Sequence, residues 1–325
     1  MKLTPLFFLI STFSLHTYAA EIGVPDLDDI EYPEEEAPSA GEVELGKMLF
    51  FDPRLSVNQV QSCATCHNPD LGFSDGMAKG LGSMGGTVGR NSPQINNLAW
   101  NVTFFWDGRA ASLEEQALGP IQAPGEMNLP LEELVGRLKK VGYYRTQFDK
   151  VYGDSGISND NIGKALASFE RTLNSINSPF DRYMKGDKVA MSDAQVRGMA
   201  LFKGKGNCTK CHDGANFTDN SFHNIGVNDT DPGRFKINHD KTMTGAFKTP
   251  GLRNILLSAP YMHNGSEGTL EEVVRFYNRG GDKKDNLDKL IVPLKLTTLE
   301  ITDLVAFLGA LTDPIIVERP TIPSQ

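Results

Sequence analysis

All four cysteines of this chain fall in two short runs, Cys63-Ala64-Thr65-Cys66-His67 and Cys208-Thr209-Lys210-Cys211-His212. A Cys-x-x-Cys pair followed at once by histidine is the pattern that attaches haem c. Two thiols three residues apart on one turn reach the two vinyl groups of a porphyrin, and the next residue then lies under the iron. Two covalently attached haem c groups are therefore expected, one on Cys63 and Cys66 and one on Cys208 and Cys211. His67 and His212 are the expected proximal ligands. Structural disulfides, a zinc site or a redox disulfide would use the same thiols, but none needs a histidine directly after both pairs.

The motifs sit inside a repeated unit. Gly46-Lys47-Met48-Leu49-Phe50 precedes the first and Gly198-Met199-Ala200-Leu201-Phe202 the second, while Phe73-Ser74-Asp75 answers Phe217-Thr218-Asp219 after them. Ser92-Pro93 through Asn97 then parallels Thr249-Pro250 through Asn254, and the alignment continues without a gap. Trp106-Asp107-Gly108 falls on His263-Asn264-Gly265, and Leu113-Glu114-Glu115 on Leu270-Glu271-Glu272. Each unit closes with apolar residues at helical spacing: Ile162, Leu166, Phe169 and Leu173 in the first, Ile301, Leu304, Val305 and Leu308 in the second. Ser192 and Gln195 form a capping-box signal for the helix entering the second motif. Strand-like alternation is scarce. The expected fold is mainly α, with two cytochrome c-like domains related by internal duplication and one haem c in each. The expected domains are 41–185 and 186–325, divided where Pro179, Gly186 and charged residues interrupt the pattern.

Seven residues past the paired leucines the repeat sets Tyr277, on a helix Leu270–Tyr277, against Pro120. Tyrosine can supply a phenolate oxygen to haem iron; proline has no side-chain donor. The second iron is thus expected to be closed by His212 and Tyr277, and the first to keep an open face beside Pro120. Met243, Met262, His223, His239 and His263 compete for the role given to Tyr277.

Residues 1–20 read as a secretory signal peptide, because Lys2 precedes the apolar run Leu6–Leu15 and Ala19-Ala20 offers a cleavage site. That run is well short of the roughly 20 residues that span a bilayer, and no later segment is long and apolar enough. Removing Lys2 with the signal leaves 31 basic against 41 acidic residues, which argues against nucleic acid as a partner. Residues 21–40, acidic and proline-containing, read as a solvated N-terminal arm. Export fits haem c attachment, so the expected location is the periplasm.

The sequence resembles the bacterial dihaem cytochrome c peroxidase/MauG family over nearly all of the chain after the signal. The likeness is carried by Phe51-Asp52-Pro53-Arg54-Leu55-Ser56, both haem motifs, Arg90-Asn91-Ser92-Pro93, Phe105-Trp106-Asp107-Gly108-Arg109, Gln122 through Asn128, Thr249-Pro250-Gly251-Leu252-Arg253-Asn254 and Pro260-Tyr261-Met262-His263. The resemblance implies reaction with hydrogen peroxide at the first haem, with Gln116 and Glu126 on its distal side and Trp106 between the haems. It further implies a calcium ion held by the Asn91 side chain and by main-chain oxygens of Ser258 and Pro260. Two departures stand out. Many such peroxidases block the first haem with a histidine in the loop before Arg90-Asn91, whereas Gly80–Gly89 has none and Ser83 lies near its place. They also use methionine where Tyr277 stands, and MauG-like members use tyrosine. The functions that follow are peroxide reduction fed by a small cytochrome c or copper protein, or peroxide-dependent oxidation of side chains on a partner protein. A non-enzymatic dihaem electron carrier is the alternative of another class. A homodimer is allowed by this reading.

Overall fold

A computed structural model describes residues 21–33 and 37–324; residues 1–20, where a signal peptide is expected, and Glu34–Glu36 lie outside the described residues. The fold is mainly helical. Among the described residues the named strands are one antiparallel two-residue pair, Phe222–His223 with Phe247–Lys248. No helix among them is long and apolar enough to cross a membrane.

The N-terminal half is built around an entry helix, Ala40–Phe51, an axial helix, Leu113–Gln122, and a closing helix, Asn159–Glu170. The C-terminal half has Asp193–Lys203, Leu270–Asn278 and Thr298–Gly309 in the same order. Each begins where a Ser or Thr hydroxyl accepts from the backbone N–H three residues on, as Ser192 does from Gln195, satisfying a donor the helix leaves unpaired. Leu173, expected on the first closing helix, lies past its end and is still buried.

Entry and closing helices cross at backbone distance in both halves. A Cβ on Gly46 would lie 1.8 Å from the Ala165 carbonyl oxygen, and one on Gly198 would lie 1.9 Å from that of Asp303. The contact lets Phe50 and Phe169 meet at 5.2 Å in one half, and Phe202 and Phe307 at 5.2 Å in the other. Two hydrophobic clusters result, one around Phe50, Phe73 and Leu166, the other around Phe202, Phe217 and Phe307.

Where the halves meet, residues paired by the sequence repeat bond reciprocally. Asn91 N–H donates to His263 O and Lys248 N–H to Trp106 O, each at 2.8 Å. Gln94 Nε2 reaches Gly251 O at 3.2 Å and Asn96 Nδ2 reaches Arg253 O at 3.1 Å. The guanidinium of Arg253, fully buried, forms a two-pronged pair with Asp181 at 2.9 Å on each side.

Phe180 packs in the second cluster and its N–H donates to Ala310 O. The N-terminal arm is not solvated throughout: Ile22 is buried in the second cluster and Gly23 N–H bonds to Gly214 O. The C-terminal tail goes the other way, with Ile315, Val317 and Ile322 on the first cluster and Arg319 bonded to Asn68 and Asp70. Charge and proline mark such segments as extended, but their few apolar residues decide where they lie.

Gly198→Ala should lower stability by about 1–3 kcal/mol through overpacking. Gly136→Ala, in a helix where a Cβ meets nothing within 4 Å, should be neutral or stabilising by up to about 1 kcal/mol. Denaturant midpoints of the two variants check the contrast.

Candidate functional site

The two cysteine motifs open onto one cavity of about 1100 Å³, slightly above the roughly 300–1,000 Å³ usual for cofactor sites. Cys63, Cys66, His67, Gln116, Pro120 and Glu126 line it, and so do Cys208, Cys211, His212 and Tyr277. None of the four cysteines is in a disulfide.

Both histidines are held the same way. His67 Nδ1 lies 3.1 Å from Phe73 O and His212 Nδ1 lies 2.9 Å from Phe217 O. Each bond makes Nδ1 the protonated nitrogen and leaves the Nε2 lone pair for a metal. Burial pushes both imidazoles below their ordinary pKa, which keeps them neutral, as a ligand must be. The two phenylalanines reach their histidines from the left-handed region, at φ 61° and 55°. The sequence shows these residues as a matched pair, but nothing in it signals that backbone conformation.

The cavity wall also carries a buried cation. Lys248 is 8% exposed, its ammonium donates to Thr249 O at 3.1 Å, and burial pushes its pKa down to about 8. A carboxylate-bearing group in the cavity would supply its missing counter-ion, so Lys248 joins the thiols and neutral imidazoles in fitting a haem with propionates.

The axial helices start from matched caps, Ser112 and Thr269, and Pro120 and Tyr277 both line the cavity. Tyr277 is the phenol close enough for the Cys208 and Cys211 sulfurs to act on it; burial raises its pKa first, and their charge adds to that. Its rivals separate. His223 is committed at both nitrogens, to Asp288 at 2.7 Å and Asp219 at 3.0 Å, and Asp219 above all keeps it protonated. His239 is exposed, and Met243 is not part of the cavity wall. His263 stacks on Phe247 with centroids 3.6 Å apart, and burial lowers its pKa to about 4. Met262 lines the cavity beside it. Cys211, Asp219 and His223 lie close enough to suggest a metal site, but His223 is spent on carboxylates and Cys211 is an attachment thiol.

Trp106 lines the cavity, its Nε1 donating to Asn91 O at 2.9 Å and its ring edge-on to His263 at 6.4 Å. Arg90 fastens this loop from both halves, reaching Asp107 at 2.7 Å and Asp231 at 2.7 and 2.9 Å. Glu126, partly buried, has its carboxyl pKa raised by burial against the lowering effect of Arg109. The Gly80–Gly89 loop is tied down beside it, with Ser83 N–H donating to Glu126 O at 2.7 Å and Gln61 Nε2 to Leu81 O at 2.7 Å. Asn91, Ser258 and Pro260 also border the cavity. Asn91 Nδ2 donates to Met77 O at 2.9 Å, so its amide oxygen is the atom left for a cation.

Comparison with known proteins places the chain in a family. Residues 40–189 match the family described as di-haem cytochrome c peroxidase. The methylamine utilization protein MauG of Methylorubrum extorquens is 44% identical over 91% of this chain and 85% of its own. The cytochrome c551 peroxidase of Nitrosomonas europaea is 38% identical over 80% of each. The crystal structure of a MauG-like protein associated with microbial copper homeostasis superposes with a TM-score of 0.80 at 33% identity, covering 93% of this chain and 96% of that one. Fold and site define a c-type cytochrome of the peroxidase class. The chain belongs to the dihaem cytochrome c peroxidase/MauG family, and is a peroxide-using oxidoreductase with covalently bound haem c.

Cys63→Ala and Cys208→Ala should each lose stable attachment of one haem. Haem counted by the pyridine haemochrome assay after acid-acetone extraction checks this; two retained haems in either variant would contradict the assignment.

Proposed function

We propose that this protein is a periplasmic dihaem peroxidase whose first haem, on Cys63, Cys66 and His67, reacts with hydrogen peroxide, and whose second, on Cys208, Cys211 and His212, is closed by Tyr277. Its two cytochrome c-like domains arose by internal duplication and carry one haem each. The observation that carries this reading is the contrast of Pro120 and Tyr277 at matching places on matching helices, both walling the same cavity.

Haem bound at these residues would supply the redox chemistry toward peroxide. The chain supplies the rest. Glu126 takes a proton from the inner peroxide oxygen and returns it to the outer one, the transfer that makes heterolytic cleavage favourable. Its position is supported by the Ser83 bond to its carbonyl, and its hold on a proton by burial. Gln116 orients peroxide by hydrogen bonding. Trp106, clamped through Asn91 and Arg90, carries electrons between the haems. Lys248 would hold a propionate, and Asn91 with the Ser258 and Pro260 carbonyls would hold calcium, a set of hard oxygen donors suited to that ion. Electrons come from a small cytochrome c or copper protein outside the chain. The second reading, oxidation of side chains on a partner protein, is favoured by Tyr277, since an anionic oxygen ligand stabilises higher iron oxidation states more than a thioether does.

Fully oxidised protein should react with peroxide without prior reduction, because neither Pro120 nor the histidine-free loop closes the first haem. Rapid mixing of ferric and half-reduced protein with peroxide checks this; an inert ferric form would contradict it. Glu126→Gln should keep both haems and slow peroxide cleavage by roughly a hundredfold or more, read in the same instrument. Tyr277→Met should raise the potential of the second haem, read by spectropotentiometry.

A further inference from the structure

The two closing helices occupy matching places, yet differ at one position facing the cavity. Their alignment is fixed twice: by Gly46 against Ala165 and Gly198 against Asp303, and by Asn97 N–H on Leu173 O and Asn254 N–H on Leu311 O. Both set Glu170 opposite Leu308, and both side chains wall the cavity. Leucine is what burial beside a porphyrin favours. Glu170 is a carboxyl group 5% exposed, and its Oε2 has no hydrogen-bond partner.

Nor does a counter-ion compensate it. The charged side chains that act on Glu170 are Arg171, the cap residue that follows it on its own helix, and Glu114, on the packed helix Leu113–Gln122. Arg171 donates to Glu114 at 2.6 Å, so its charge is largely answered there. Burial raises the Glu170 pKa to about 8, and its field reaches Cys63. The N-terminal half thus keeps an acid proton in the wall beside the first haem motif, where the C-terminal half keeps a methyl group. Such a carboxyl costs stability, because no hydrogen bond compensates its Oε2.

We propose that Glu170 is a redox-linked proton site of the first haem, protonated while that haem is reduced and ionised when it is oxidised. Oxidation leaves one more positive charge in a low-dielectric surrounding, and a nearby carboxylate is stabilised by it. The balance is one electron for one proton. An electron delivered by the donor protein is matched by a proton moving from solvent to the Glu170 carboxylate, and its withdrawal sends the proton back. Glu170 acts as a positioning residue for charge, and the inference rests on the reading that Cys63 and Cys66 carry a haem.

The test is potentiometric titration of both haems in the holoprotein across about pH 6–9, for wild type, Glu170→Gln and Glu170→Leu. In wild type the reduction equilibrium of the first haem should fall by up to tenfold per pH unit near the Glu170 pKa, 59 mV for a one-electron couple. The second haem should show no such slope. Both variants should flatten the first haem's slope alone, and Glu170→Gln, nearly isosteric, separates this from loss of packing. A slope surviving in Glu170→Gln would place the proton elsewhere, as on a propionate, and overturn the inference. A flat wild-type curve would overturn it too. Wild-type protein without a covalent haem on Cys63 and Cys66 would instead overturn the functional reading beneath it.

Discussion

A backbone carbonyl aimed at an imidazole holds this molecule's chemistry in place. Phe73 and Phe217 adopt left-handed conformations, at a cost of the order of 1–3 kcal/mol each, and so direct their oxygens at His67 and His212. Their rings are sunk in the two clusters, with Phe217 packed edge-on against Phe180 and Phe202. Core packing offsets the strain and fixes which nitrogen of each histidine faces the cavity. Without that bond the ring could turn and either nitrogen could be the ligand.

Two halves built alike make their differences informative. Caps, crossings and left-handed residues recur, including Phe105 with Met262 and Asn97 with Asn254. Against that common frame, Pro120 faces Tyr277, Asn91 faces Lys248, Trp106 faces His263 and Glu170 faces Leu308. Each replacement changes the side-chain chemistry while the architecture stays. The reciprocal bonds between halves bring the exchanged positions into one cavity.

Much of this was legible in the sequence. Doubled attachment motifs and a gap-free repeat led to the paired histidines, to the matched helices that carry Pro120 and Tyr277, and to the helical architecture, because covalent attachment demands fixed spacing and helices preserve it. The crossed termini were not, since an isolated Ile22 or Ile315 carries no periodicity to say which core it joins. Lys248 and Glu170 were missed for a related reason. A buried charge looks like any surface charge until burial is known, although the repeat could have flagged Glu170 as an acid where its counterpart is leucine. The ion-pair anchors of the Trp106 loop, Arg90 with Asp107 and Asp231, join residues far apart in the chain that no local pattern connects.

The central claim is that one iron is open and the other closed by tyrosinate, a difference of ligand set that electron paramagnetic resonance reads without turnover. The fully oxidised holoprotein at low temperature should show one high-spin ferric signal, from the haem beside Pro120, and one low-spin signal from the haem of His212 and Tyr277, in equal amounts. Two low-spin signals, with no high-spin iron, would mean that both faces are closed and would contradict the account.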